Sequence, residues 1–227
     1  MENFEILTLF ITLKLATYTI IVLFIIGVPL SLWLAYGKNN FKNIVQTIVA
    51  LPLVLPPTVL GFYLLLFFNP ENFFGDKLYT LTGTKLVFSF EGLVIASVIY
   101  SLPFVVQPLQ ASFENIDYKK IEAAYNLGAS KLSTLINIII PLSLRGFLVA
   151  GVLGFAHTIG EFGVVLMIGG NIAGETRVLS IAIFEKVETL NYLDAHIMSG
   201  GLVLFSFVIL FLLYSSNKNF KLKLFSK

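Results

Sequence analysis

The sequence predicts an all-α, polytopic membrane helix bundle of about five transmembrane helices, with one long polar insert between the third and the fourth. Three observations carry that expectation. Of 227 residues, 57% are hydrophobic and only 12% are charged, against about 25% charged in an ordinary soluble domain. Mean hydropathy is +0.89. Apolar runs of about 20 residues, the length that crosses a bilayer, recur along the chain with short polar breaks between them. The composition also excludes several classes. There is no cysteine, hence no disulfide framework and no thiolate chemistry. Two histidines leave little for a metal site, and no cofactor is expected. A net charge of +2 is too small to point to nucleic acid.

The first expected span is Leu15 to Tyr36, free of charge, with Gly27 and Pro29 placed to kink it. The acidic start MENFEILTLF differs from the basic start of a signal peptide, so insertion is expected to rely on this span. The second span, Ile44 to Phe68, contains LPLVLPP. Proline lacks a backbone donor, so Pro52, Pro56 and Pro57 predict a bent or partly unwound stretch. Irregular backbone at membrane depth persists only when it is buried in protein or lines a watery cavity. These prolines are therefore candidates for a gate or a transport pathway; a packing kink, or a turn near the cytoplasmic surface, is the plainer alternative. Asn69 to Glu91 reads as a polar loop with turn residues Asn69-Pro70, Gly75 and Gly83.

Gly92 to Phe113 is the third span, interrupted by Pro103 and Pro108. The fourth, Gly146 to Ile168, carries Gly146, Gly151, Gly154, Gly160 and Gly163, small residues of the kind that let helix backbones approach closely. Val178 to Leu190 is too polar to span, and its Leu179, Ala182, Ile183 and Val187 predict an amphipathic helix on the membrane face. Ile197 to Tyr214 is the last span. Residues 8–216 then form one membrane domain, followed by a basic tail at 217–227.

The insert, Asp117 to Leu142, reads DYKKIEAAYNLGASKLSTLINIIIPL and predicts two short helices. Asp117 can cap the first, which has Ile121, Ala124 and Tyr125 on one side. Gly128 is placed to stop it in the left-handed C′ position. Ser130 can cap the second, where Leu132, Leu135, Ile136 and Ile139 recur at helical spacing and Pro141 is expected to end it. Such a pair needs something to cover its apolar face: its own bundle, or a separate soluble protein.

Glu122-Ala123-Ala124, three residues, Gly128, nine residues, then Ile138-x-Ile140-Pro141 resembles the coupling loop of ABC importer permeases. The family pattern has leucine where this chain has Ile140, an aliphatic exchange that keeps the proline in place. The resemblance implies a type I ABC importer permease fold, a cytoplasmic insert, and docking of Glu122, Ala123, Ala124, Gly128, Ile138 and Pro141 on an ATP-hydrolysing subunit. Charge agrees independently. With the N-terminus outside and the C-terminus inside, ten Lys and Arg lie in inner segments and five in outer ones, as the positive-inside rule requires of a multi-pass protein of the cytoplasmic membrane.

Glu161 is the only acid within the expected spans, and His157 lies four residues before it. A carboxylate in lipid is costly and usually faces a bundle interior or a cavity. The pair could form an internal packing contact or gate, line a pathway, or hold a metal or a proton. Gly160-Glu161-Phe162-Gly163 resembles a motif of permeases for tetrahedral oxyanions, the molybdate and the sulfate or thiosulfate groups. The stretch from Asn171 to Arg177 and the LPLVLPP run with Gly61 are similar to molybdate permeases in particular. Pro52, Pro56, Pro57, His157, Gly160, Glu161, Phe162 and Gly163 are accordingly the gate or pathway candidates. Arg177 and Lys186 could attract an anion, contact an outer binding protein, or be solvated charge.

The sequence has no G-x4-G-K-[ST] phosphate loop. ATP chemistry is therefore expected on another subunit, and this chain is expected to be no enzyme. The resemblance implies an importer for molybdate, with tungstate as co-substrate, built from a homodimer of this subunit, two ATPase subunits and an extracytoplasmic molybdate-binding protein. Three other readings stay open at this stage: the same machine for sulfate or thiosulfate, an intramembrane metalloenzyme using His157 and Glu161, and a membrane scaffold.

Overall fold

The computed structural model describes residues 2–39 and 41–216, and among them every regular element is helical. In chain order these are α1 (Glu2–Tyr36), α2 (Phe41–Ala50), α3 (Pro57–Phe68), α4 (Phe73–Thr82), α5 (Phe90–Glu114), α6 (Tyr118–Asn126), α7 (Lys131–Leu142), α8 (Leu144–Gly160), α9 (Gly163–Gly169), α10 (Leu179–Glu188) and α11 (Tyr192–Ser216). The basic tail at 217–227 lies outside the described residues.

Helix α5 is the centre of the bundle. The Ser89 hydroxyl caps it by accepting from the Gly92 N–H at 3.1 Å, and neither Pro103 nor Pro108 interrupts it. Leu93, Ala96, Val105, Val106, Leu109 and Phe113 are all fully buried along its length. Helix α1 packs mainly on α5 and α8 through the buried Leu15, Leu23 and Leu34. Two polar side chains fix its register: Ser31 donates to the Val106 carbonyl at 3.1 Å, and Tyr36 to that of Phe113 at 2.8 Å. Lipid tails are as apolar as leucine, so association between spans depends on close packing rather than on expulsion of water. The glycines of α8 provide it. A Cβ at Gly154 would stand 2.6 Å from the Val105 side chain, and one at Gly146 would overlap the Ser112 side chain.

Three helices are long and apolar enough to cross a bilayer unbroken: Ile6–Tyr36, Phe90–Glu114 and Tyr192–Ser215. Two bent pairs bring the count up to the expected five when each pair is taken as one span. Phe41–Leu53 meets Pro57–Phe68 at 111°, and Lys131–Leu142 meets Leu144–Gly160 at 68°. The second span is thus broken where LPLVLPP predicts a bend. Pro52 sits in a single tight turn at Leu51–Leu53, and Pro56 and Pro57 open α3 as its cap and first residue. Neither half could cross alone, since helices of this length rise only about 18–20 Å.

Several boundaries differ from the sequence reading. The fourth span does not run as one helix to Ile168, because residues 161–162 leave the helix between α8 and α9. The region from Asn69 to Glu91 is not simply a loop, for it holds α4. The first span reaches back to Ile6 and so includes Lys14, and the last begins at Tyr192 and so includes Asp194. Asp194 is bonded to Lys186 at 2.7 Å. The helix expected on the membrane face, α10, instead buries Leu179, Ile181 and Ala182 in the protein. Its first N–H, that of Leu179, is tied to the Thr12 hydroxyl of α1 at 2.8 Å.

Candidate functional site

The insert forms as its caps dictate. The Lys119 N–H donates to the Asp117 carboxylate at 3.0 Å, and the Ser133 N–H to the Ser130 hydroxyl at 3.2 Å. Gly128 has φ +84°. Its N–H bonds to the Tyr125 carbonyl at 2.9 Å, and the Ala129 N–H to that of Ala124 at 3.0 Å, the bond pair of a Schellman C-cap. Nothing lies within 4 Å of a Cβ built there, so glycine is required by the backbone angle and not by crowding.

Inward, Ile121 and Ile139 join Phe113 and Ile116 in one buried cluster, with Leu135 packed against it. That cluster fastens the insert to the end of α5. The apolar face expected on α7 is only partly covered by the described residues: Ile139 is buried while Leu132 and Ile136 are exposed, and Tyr125 of α6 is exposed as well. Nor does Pro141 end the helix. Over Leu135–Ile139 the turn widens, with the Ile140 N–H reaching the Leu135 carbonyl, and Pro141 falls in the helical turn Ile140–Leu142 that follows. Widened turns of this kind let a helix absorb local misfit. The chain then bends at Ser143, whose hydroxyl donates to the Ile139 carbonyl at 2.7 Å.

Of the coupling candidates, Glu122, Ala123, Gly128 and Pro141 are exposed, Ile138 is half-buried and Ala124 is buried. Around them Tyr118, Leu127, Leu132, Ile136, Leu142 and Leu144 are also exposed, with Leu127 at 89%. The insert therefore carries an apolar surface that the described residues of the chain do not cover.

The second constellation surrounds a cavity of about 510 Å³ lined by Pro57, Thr58, Tyr100, His157, Gly160, Glu161, Phe162, Gly163 and Met167, among others. Six of the eight gate or pathway candidates meet there. Pro52 and Pro56 do not line it: the first is buried at the bend and the second is exposed at the start of α3. Thr58, Tyr100 and Met167 are additions that no local sequence signal marks. Close contact shapes the wall, since a Cβ at Gly163 would stand 2.8 Å from the Pro57 Cβ, and one at Gly61 2.8 Å from the Met167 Cβ.

Glu161 is 4% exposed, and neither of its carboxyl oxygens has a hydrogen-bond partner within the described residues. Its backbone is extended, at φ −68° and ψ 133°, so it does not share a helical face with His157. Its carbonyl accepts from the Ser180 hydroxyl of α10. His157 pairs elsewhere: its Nδ1 lies 2.9 Å from the Ser101 hydroxyl, which is 3.1 Å from that of Thr158. Its ring stacks on Phe104 at 3.8 Å. Among the described residues no three of His, Cys, Asp and Glu come together as a metal set.

On the far side of α10 the two cations expected to face outward are both engaged. The Arg177 guanidinium lies 3.3 Å from the Glu185 carboxylate, and Asn171 bonds to both. Lys186 holds Asp194. Local charge in this region is largely matched by its own acids.

Similarity to known proteins agrees with this geometry. The chain is 51% identical to the molybdenum transport system permease protein ModB of Azotobacter vinelandii, over 92% of each chain. It is 40% identical to the ModB of Haemophilus influenzae over 72% of this chain and 73% of that one. A probable sulfate transport system permease protein of Marchantia polymorpha is 33% identical over 89% of this chain and 69% of its own length. Among solved structures, a bacterial alginate ABC transporter superposes with TM-score 0.77 at 18% identity, covering 94% of this chain and 78% of that one. The MetNI methionine ABC transporter superposes with TM-score 0.71 at 16% identity, covering 95% of each; both likenesses concern the fold. The family model described as binding-protein-dependent transport system inner membrane component matches residues 27–224, and the chain, a multi-pass permease with the type I ABC importer fold, belongs to that family.

Proposed function

We propose that this chain is the membrane subunit of an ATP-driven importer for molybdate, with tungstate as a co-substrate. The observation that carries the substrate is the 51% identity to a molybdenum transport permease over 92% of both chains. A sulfate or thiosulfate importer is the second reading, favoured by the 33% identity to a probable sulfate permease.

In this reading two copies of the chain form the pathway. A nearly uncovered α11 and a cavity walled on one side by α3, α8 and α9 support it. The N-terminus lies outside and the C-terminus inside. Two separate ATPase subunits dock below on Glu122, Ala123, Ala124, Gly128, Ile138 and Pro141, and an extracytoplasmic molybdate-binding protein delivers the anion above. The exposed apolar surface of the insert supports the docking. The broken helices around Pro57 and Gly160 to Gly163 act as the gate, because unwound backbone at membrane depth is stable only beside protein or a wet path. Closing of the ATPase dimer on ATP carries the insert with it and opens the cavity outward; hydrolysis reopens it inward. Coupling of this kind requires the ATPase to bind the insert differently in the two states.

The test is binding-protein-dependent uptake of labelled molybdate into vesicles holding this subunit and its ATPase, with excess sulfate as competitor. ATP-dependent uptake that ignores sulfate is expected. Uptake abolished by sulfate keeps the mechanism and moves the substrate. No uptake in a complex that assembles removes the transport reading in favour of a scaffold.

A further inference from the structure

Helix α4 has a face that none of the described residues covers, and its composition says what covers it. At 3.6 residues per turn, Phe73, Lys77, Leu81 and Phe74 fall within an arc of about 100°. Phe73 is 68% exposed, Phe74 56% and Leu81 82%. The next arc turns inward: Gly75 is buried, and Leu78 packs on the buried cluster of Phe68 and Leu86. Asp76, Thr80 and the half-exposed Tyr79, whose hydroxyl can reach water, occupy the remaining arc. The helix thus has one side for protein, one for water, and one apolar side left over.

Its depth is set by α3. The Asn72 side chain donates to the Leu66 carbonyl at 2.6 Å, the Asn72 N–H to that of Asn69 at 2.9 Å, and the Asp76 N–H to that of Asn72 at 2.9 Å. A Cβ at Gly75 would overlap the Asn69 carbonyl, so the first turn of α4 is pressed onto the end of α3. Phe74 stacks on Phe67 at 5.0 Å, which joins the free face of α4 to the exposed apolar surface of Tyr63, Leu66 and Phe67 on α3. The two faces form one continuous apolar surface running to the rim of a membrane helix.

Lys77 decides the occupant. Its ammonium lies 4.6 Å from the centre of the Phe73 ring, in the middle of the apolar arc. The cores of protein–protein interfaces are depleted in lysine. A headgroup layer instead accommodates it, because the stem lies along apolar surface while the ammonium reaches phosphate. Aromatic side chains also concentrate at that depth. We propose that α4 is an interfacial membrane anchor whose Phe73–Phe74–Leu81 face sits in the phospholipid headgroup layer at the end of α3, with Lys77 directed to lipid phosphate.

The inference needs only that α3 is membrane-embedded, so it stands apart from the transported anion. Trp33 is the sole tryptophan of the chain, so Trp33→Phe combined with Phe74→Trp leaves one tryptophan in this subunit, and the same complex with Trp33→Phe alone supplies the background emission of the other subunits. The complex is placed in nanodiscs of phosphatidylethanolamine and phosphatidylglycerol, brominated either near the headgroup or near the chain end. Expected is clearly weaker emission with the shallow bromines than without them, a smaller loss with the deep ones, and little quenching by aqueous iodide, as for an aromatic side chain at headgroup depth. Strong iodide quenching with no bromine effect overturns the proposal by placing α4 in water. Quenching by neither overturns it by placing a second copy or another protein on that face, and shielding that arises only on adding the soluble binding protein assigns the face to that partner. If Phe74→Trp does not fold, a nitroxide on Phe73→Cys, clean in a chain without cysteine, reads the same depth from oxygen and nickel-chelate accessibility.

Discussion

The hydroxyl of Ser180 donates to the main-chain carbonyl of Glu161, 19 residues earlier. The bond joins α10 to the two-residue break between α8 and α9. At that break the carbonyl has left the helical ladder, so an outside donor must satisfy it. Ser180→Ala is expected to cost about 1 kcal/mol, the net worth of one such bond, and to lower the thermal midpoint of the purified complex in detergent. Ser180→Thr, which keeps a hydroxyl, should recover most of the loss. Equal midpoints for Ser180→Ala and the parent would show that the break is held by other contacts.

Gly128 separates backbone cost from surface cost. Its φ of +84° lies where a β-carbon is disfavoured, yet the space around it is open. Gly128→Ala should cost about 1–2 kcal/mol, Gly128→Asn less and Gly128→Val more, with ATPase copurification highest for Gly128→Asn and lowest for Gly128→Val, and membrane insertion unchanged. Gly128→Asp tolerates the angle but sets a charge beside exposed Leu127, so it is expected to abolish ATP-driven uptake while leaving insertion intact. Normal uptake by Gly128→Asp would remove the insert from the coupling role.

The contact of Gly163 with Pro57 offers a handle on the cavity wall. A Cβ at Gly163 meets the Pro57 Cβ at 2.8 Å, and neither backbone can yield cheaply. Gly163→Val should destabilise by about 1–3 kcal/mol, as overpacking does, and reduce uptake by forcing α9 away from α3. Gly160→Ala is the control, because nothing lies within 4 Å of that position. Similar uptake by the two variants would mean that α3 and α9 need not stay in register.

Glu161→Ala is expected to lower the uptake rate and the thermal midpoint while leaving the ratio of molybdate to sulfate uptake unchanged. The carboxyl group is buried at the junction between α8 and α9, so its loss leaves a void at that break. A clean change of anion preference at full rate would instead make Glu161 a contact of the transported ion.

What the sequence made legible was local. Asp117, Gly128 and Ser130 act through neighbours within a few residues, and all three sit where their chemistry predicts. The break at Pro57 is legible for the same reason. Helix α4 was hidden because Gly75 reads as a turn residue. It lies inside a helix because glycine alone fits against the Asn69 carbonyl, a constraint from another segment. The break at Glu161 contains no proline and interrupts a run that stays apolar on both sides, so hydropathy passes over it. Periodicity marked Leu132 and Ile136 as one face of α7 but could not say whether this chain or another covers it. Thr58, Tyr100 and Met167 meet at the cavity only through packing of α3, α5, α8 and α9.

The 68° bend at Ser143 has a mechanical meaning. Helix α8 has 17 residues and is therefore an arm of about 25 Å, with the insert at one end and the Gly160 break at the other. A tilt of about 10° about Ser143 carries the far end roughly 4 Å by simple leverage on that rise, a displacement comparable to the width of a bare oxyanion. The bend makes α7 a crank set across the arm: a push along α7 arrives largely sideways on α8. Small strokes at the insert are in this way geared up, and the non-helical pair Glu161–Phe162 is where the arm can hinge against α9.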